Sequence, residues 1–282
     1  MSLAYTLLAA TVLGQTPARP HGQGWQSHGV RAGVVTHSKP SASGHLIFHG
    51  SAYARGVHVA ELLAATLDDA HAAEWVDKLL EIRSARWPGR ATSAPWGTRV
   101  CEDLSLQVFD APWPVSDREM LMRRRVLVTA ANRTVRIAFE PAVGAEALGF
   151  PVGKGRVRAD AFSEFEFVAS ATELGTRVAL VGLVNPKGSL PTALINVLNR
   201  DWAANTISGL LRHARRATRL PGPVAQGACK GVDVSTWGGR AAPADVVRGG
   251  GGGGGVGGGT AAWLGALARA WLPAAPESRS EL

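Results

Sequence analysis

The chain has 282 residues, 46% of them hydrophobic and 18% charged, which suits one globular domain with a sizeable core plus extensions. Its net charge of +8 points to acidic partners, either nucleic acid or an anionic membrane surface. Cys101 and Cys229 lie far apart and fit no CxxC pattern, so neither a disulfide framework nor a thiol-metal site is expected, and a reducing compartment fits.

Residues 1–20 carry an apolar run, Leu3 to Leu13. It reads either as a helix packing on the domain or as a signal-like leader without the usual basic start. No stretch approaches the ~20 apolar residues that a spanning helix needs. Gly29–Ser38 and Gly44–Gly56 read as hairpin strands, flanked by Gly, Pro and Ser. Val59, Leu62, Leu63 and Leu67 then recur at helical spacing. Asp68 or Asp69 is placed to cap a second short helix carrying Trp75, Leu79 and Leu80. Strands return from about Val100, with Asn132-Arg133 as a tight turn between two of them.

Leu194, Ile195, Leu198, Trp202, Ile207, Leu210, Leu211 and Ala214 then mark one face of a helix. At about 25 residues it would be roughly 38 Å long. Ser189 is its expected cap, Pro191 sits near its first turn, and Pro221 stops it. Arg212, Arg215 and Arg216 crowd its C-terminal end, where the macrodipole favours cations. The order of strands, two short helices, antiparallel strands and one long final helix predicts an α+β domain over residues 21–221. Residues 222–282 form a tail. Its stretch 249–259 is glycine except Val256, a flexible linker, and Trp263, Leu267 and Trp271 recur beyond it as a short amphipathic segment.

The stretch "MLMRRRVLVT" reads as a strand with arginines inside it. With period two, one face carries Met120, Met122, Arg124, Val126 and Val128. Arg124 is the one charge on this more apolar face. A buried guanidinium costs several kcal/mol unless paired. Arg124 therefore needs either a carboxylate from the fold or an acidic group on a ligand. Arg123 and Arg125 are expected to face solvent or a membrane.

No nucleophile elbow, HExxH or zinc spacing occurs, so neither catalysis nor a metal is expected. His45 and His49 share a strand face but lack a third ligand. Gly153-Lys154-Gly155 is no phosphate loop. The arginines interleave with strand-buried apolar residues instead of an exposed aromatic platform, which disfavours nucleic acid.

Four segments, in order, resemble START domains, the lipid-transfer modules related to the steroidogenic acute regulatory protein. "LDDAHAAEWVDKL" resembles the family's Asp…Glu-Trp segment, and "APWPVSDREMLMRRR" its Pro-x-Pro…Arg-Asp strand start. "GRVRADAF" resembles its Val-Arg strand, and "NPKGSLPTALIN" the turn that opens its last helix. Glu119 stands where the family usually has Asp, and Asn185 where it has Asp.

The resemblance implies a helix-grip fold, a curved antiparallel sheet around a long C-terminal helix with a hydrophobic tunnel for one lipid. The implied lipid-binding residues are Arg124, Arg118, Trp113, Met122, Leu194, Leu198 and Trp202. The implied gate is the last helix, with Arg212, Arg215 and Arg216 meeting anionic membranes. The expected partner is a membrane lipid (phospholipid, sterol or sphingolipid) and not nucleic acid, with no cofactor. The expected activity is lipid binding and intermembrane transfer, non-enzymatic. A lipid sensor or adaptor, or a helix-grip enzyme on a hydrophobic substrate, are the alternatives. The expected location is cytoplasmic and peripheral at membranes, or secretory or organellar if residues 1–20 are a leader.

Overall fold

The computed structural model describes residues 23–87, 98–111, 114–142, 149–188, 190–216 and 229–237. Its strands are β1 Gln26–Arg31, β2 Val34–Pro40, β3 Leu46–Arg55, β4 Leu79–Arg86, β5 Thr98–Phe109, β6 Arg118–Thr129, β7 Thr134–Pro141, β8 Val157–Arg158, β9 Asp160–Ala169 and β10 Gly175–Asn185. They make one sheet in the order β1-β2-β3-β10-β9-β7-β6-β5-β4, with β8 parallel to β6. The helices are α1 Val59–Leu67, α2 Thr192–Asn199 and α3 Trp202–Arg216.

Local chemistry differs from the expected pattern in three places. His58 caps α1, for which the sequence offered no cap: its ring accepts from Ala60 N while Glu61 reaches back to His58 N. The segment after Asp68 is a 3₁₀ helix, Asp69–Glu74, and Leu79 and Leu80 belong to β4. The final helix is two helices. It breaks at Arg200-Asp201, where Asp201 O accepts from Asn205 N and its carboxylate pairs with Arg31 of β1. The Asn132-Arg133 turn forms as expected, with Arg133 left-handed at φ 51°. Ser189 and Pro221 lie outside the described residues.

Cross-strand register divides the inner face of the sheet into two halves. One half is solid core. There Val126, Ile137, Phe165, Leu180 and Gly50 form one row, and Val128, Val135, Phe167, Val178 and Ala52 the next. Helix α3 lies on it. A side chain at Gly50 would meet Ile207 Cδ1 at 3.0 Å, and one at Gly209 would meet the Trp75 carbonyl at 2.4 Å. Both glycines therefore set how closely α3 approaches. The other half, toward Arg118, is not filled by α3.

Cys101 and Cys229 form a disulfide, contrary to expectation. Spacing could not reveal it, because the partners are 128 residues apart and meet only through the fold. The bond ties residues 229–237 to β5, with Val232 and Val234 buried in the core.

On the outer face the arginines are paired and not turned to solvent. Arg123 binds Glu102 at 2.7 Å and lies 4.6 Å from the Trp87 ring centre. Arg125 binds Glu140 at 2.7 Å. Arg136 lies 4.0 Å from Glu164 but binds Glu166 at 2.8 Å. Burial therefore wins at Glu164 and pushes its carboxyl up from 4.5 to about 7.

The native state thus holds a proton on Glu164 that the unfolded chain has already released between those two pH values. Stability from this group is full below about 4.5 and is lost as pH rises through 7. Glu164→Gln should flatten the fall in urea midpoint between pH 5 and 8. Identical slopes in the two proteins would place the proton elsewhere.

Candidate functional site

The unfilled half of the inner face holds a cavity of about 340 Å³. Its walls come from Gln107 and Phe109 of β5, Met120 and Met122 of β6, Ala161 and Ser163 of β9, Val184 of β10, and Leu194 and Ile195 of α2. Trp202 closes the side nearest α3. Its ring packs against Gly182, where a Cβ would meet Cη2 and Cζ3 at 2.6 Å. The glycine gives up a side chain so that the indole can form the wall.

Arg118 stands at the corner between β5 and β6 and lines the cavity. The turn opening the helical segment holds it. Nε donates to Pro186 O at 3.0 Å, Nη2 to Lys187 O at 3.4 Å, and Nη1 to Ser116 O. Lys187 and Gly188 adopt left-handed φ of 53° and 75° there. Asn185 fixes this turn by accepting from Lys187 N at 3.0 Å, so asparagine does serve this position. Arg118 is only 8% exposed, and among the described residues no carboxylate pairs with it. Three of its five N–H groups are taken by carbonyls, which carry no formal charge. Its charge is held in place but not neutralised.

The next residue has the opposite environment. Glu119, 1% exposed, points to the other face and is bound by Arg158 at 2.7 Å and by Gly153 N at 3.1 Å. It anchors β8 and takes no part in the cavity.

Arg124 is buried at 2% exposure on the inner face, as the period predicts. Of the two partners open to it, the fold supplies the carboxylate. Nε and Nη2 make a bidentate pair with Asp103 at 2.8 and 2.7 Å, and Nη1 binds Asp69 at 2.8 Å. Ser84 Oγ accepts from Nη2 at 3.1 Å. Burial works against the charge, but the bonds and fields of Asp103, then Asp69, raise the guanidinium pKa above its ordinary value. Arg124 is not among the cavity-lining residues. It stands in the cross-strand row Asp103, Arg124, Phe139, Ser163, Gly182, next to the row of Val126 in the solid core. The fold itself thus supplies the acidic partner that Arg124 needs.

Met122, Leu194 and Trp202 line the cavity, and Leu194 is also 44% exposed at its rim. Trp113 and the side chain of Leu198 lie outside the described residues. Arg212, Arg215 and Arg216 are exposed but stand beyond the cavity. The last lining residue on α3 is Asn205, so they lie about 10–16 Å further along the helix axis.

Residues missed by sequence reasoning are Gly182, which seats Trp202, and the pair Asp77 and Asn205 at the rim, joined at 3.4 Å. No group of three metal-ligating side chains occurs among the described residues. No helix among them is long and apolar enough to cross a membrane.

No family model matches the sequence, and no curated protein is similar to it. Solved structures are similar. Human STARD10 superposes with a TM-score of 0.58 at 17% identity, over 73% of this chain and 84% of that one. A STAR-related lipid transfer protein from Xanthomonas axonopodis gives 0.56 at 19% identity, over 68% of this chain and 99% of the solved fragment. Human StAR-related lipid transfer protein 5 gives 0.58 at 13% identity, over 78% and 97%. The likeness spans nearly the whole of those domains, and with it the chain is shown to have the helix-grip fold of START domains.

Proposed function

We propose that the chain binds one lipid-like amphiphile in this cavity and shields its hydrocarbon during passage between membranes. One observation carries the reading: an apolar cavity has, at its corner, a buried arginine that among the described residues meets carbonyls and no carboxylate. The lipid-transfer names of two similar folds support it. A lipid leaving a bilayer exchanges one apolar surrounding for another, so the protein gains little from the chain itself. It lowers the barrier that water imposes, ~0.8 kcal/mol per methylene. We assign no catalytic step.

The moving part in this reading is α2. It is separated from α3 by the break at Arg200-Asp201 and is pinned to β3 by Asn196 Oδ1, which accepts from Leu46 N at 3.0 Å. Ala193 and Leu194 are exposed on it and Pro191 just before it, a small apolar contact for a membrane surface. The disulfide favours an oxidising compartment, and with it the secretory reading of the N-terminal run over the cytoplasmic one.

Native mass spectrometry of the full chain after incubation with mixed liposomes tests the reading. A stoichiometric lipid is expected, and a folded but empty protein would refute it. Arg118→Gln should weaken binding of an anionic amphiphile by about 10- to 100-fold, as loss of hydrogen bonds from a charged group does. Binding of the matching uncharged alcohol should not change. Equal losses for both ligands would make Arg118 a fold residue only. A vesicle-to-vesicle assay separates transfer from sensing: a sensor retains lipid but moves little of it.

A further inference from the structure

We infer that the ligand carries an uncharged hydrogen-bonding oxygen, a carbonyl or a hydroxyl, between its anionic end and its hydrocarbon, and that Gln107 receives it. This rests on the reading of Arg118 as the seat of the anionic end and adds a second polar contact to it. Register places the two residues. Arg118 faces Phe109 across β5 and β6, and Gln107 faces Met120. Gln107 is thus one side-chain layer, about 7 Å, further in than Arg118, toward the row of Asp103 and Arg124. Period two puts it on the inner face with Phe109 and Ser105, and it lines the cavity.

The surroundings make an amide unfavourable there. Phe109 and Met120 flank it and Met122 stands one layer beyond, all lining the same cavity. A glutamine amide has two N–H donors and a carbonyl oxygen with two lone pairs. Among the described residues Gln107 makes one side-chain bond, a long one of 3.3 Å from Nε2 to Ser105 Oγ. One N–H and the amide oxygen are left over on a half-buried side chain. A ligand of plain hydrocarbon below its anionic end would displace water from both groups and leave them without partners, the most unfavourable outcome for a polar group. A ligand oxygen at that depth accepts from Nε2, and a hydroxyl also donates to Oε1. Sites built to bond a ligand oxygen reject the analogue that lacks it for this reason. Ser163, the other half-buried polar side chain on the sheet's share of the wall, stands on β9, three strands away and two layers further in. The rim groups Lys78, Asp110 and Asn205 are exposed and keep their water when the cavity fills.

The test is competition, read by native mass spectrometry of the full chain, between two phosphate monoesters of equal length offered in equal amounts. One pair sets a 1-acyl lysophosphatidate against a straight-chain alkyl phosphate. The other sets a diacyl phosphatidate against the phosphate of a branched, two-chain alkanol, so the number of chains does not decide the outcome. In whichever pair binds, the member with carbonyl or hydroxyl oxygens should be favoured roughly tenfold or more. Gln107→Met removes the amide at similar length and should bring that ratio close to one. Gln107→Leu should do the same, so misfolding of one variant leaves the other. Arg118→Gln should weaken both members alike and keep the ratio. Equal binding of the two members by the wild type overturns the inference and leaves Arg118 as the seat of the anionic end. A preference that survives in a folded Gln107 variant overturns it too, because the preference then arises elsewhere. A folded chain that binds no member of either pair overturns both readings.

Discussion

Arg124→Met is expected to lower the stability of the domain by roughly 3–5 kcal/mol, the cost of breaking a buried ion pair from one side. The reason lies in what remains. Asp103 is 7% exposed and would lose both of its bonds from the guanidinium. Asp69, 26% exposed at its side chain, would lose less. Urea unfolding of the wild type, Arg124→Met, Asp103→Leu and the double variant forms a cycle that isolates the pair. The double variant should recover most of the loss, because an apolar pair of similar volume needs no desolvation of charge. Each folded variant should keep its ligand. Loss of ligand from a variant of unchanged stability would return Arg124 to the head-group role.

The same residue shows how far sequence reaches. The alternation from Met120 to Val128 placed Arg124 on the buried face, because period two needs no knowledge of neighbours. It could not choose between a carboxylate in the fold and one on a ligand. Asp103 comes from the adjacent strand and Asp69 from a 3₁₀ helix 55 residues away, contacts that only register supplies. The apolar face of the final helix was legible, but its break was not. Apolar spacing runs on through Leu198 and Trp202, while Asp201 is engaged by Arg31 of the first hairpin. The wall of the cavity was half legible. Met122, Leu194 and Trp202 follow from apolar periodicity, whereas Gly182 matters for the atoms it lacks.

Reducing the Cys101–Cys229 disulfide should cost the domain about 2–5 kcal/mol. In the chain-entropy account, closing a loop of about a hundred residues limits the unfolded chain by ~4.7 kcal/mol, and here the cysteines are 128 residues apart. The local effect should be larger than the global one. Residues 229–237 form no strand with the sheet, and their backbone bonds among the described residues are short-range: Val232 N to Cys229 O at 3.0 Å and Trp237 N to Val234 O at 3.1 Å. Their attachment rests on Val232, Val234 and the partly buried Trp237, packed against the core, and on the disulfide. Hydrogen exchange on the full chain, oxidised and reduced, checks this. After reduction, residues 229–237 should lose protection first, while β6, β7 and β9 keep theirs until global unfolding. Cys101→Ala with Cys229→Ala should reproduce the pattern without reductant. Equal protection of 229–237 in both states would mean that apolar packing alone holds the segment, while the drop in melting temperature, which arises in the unfolded chain, should remain.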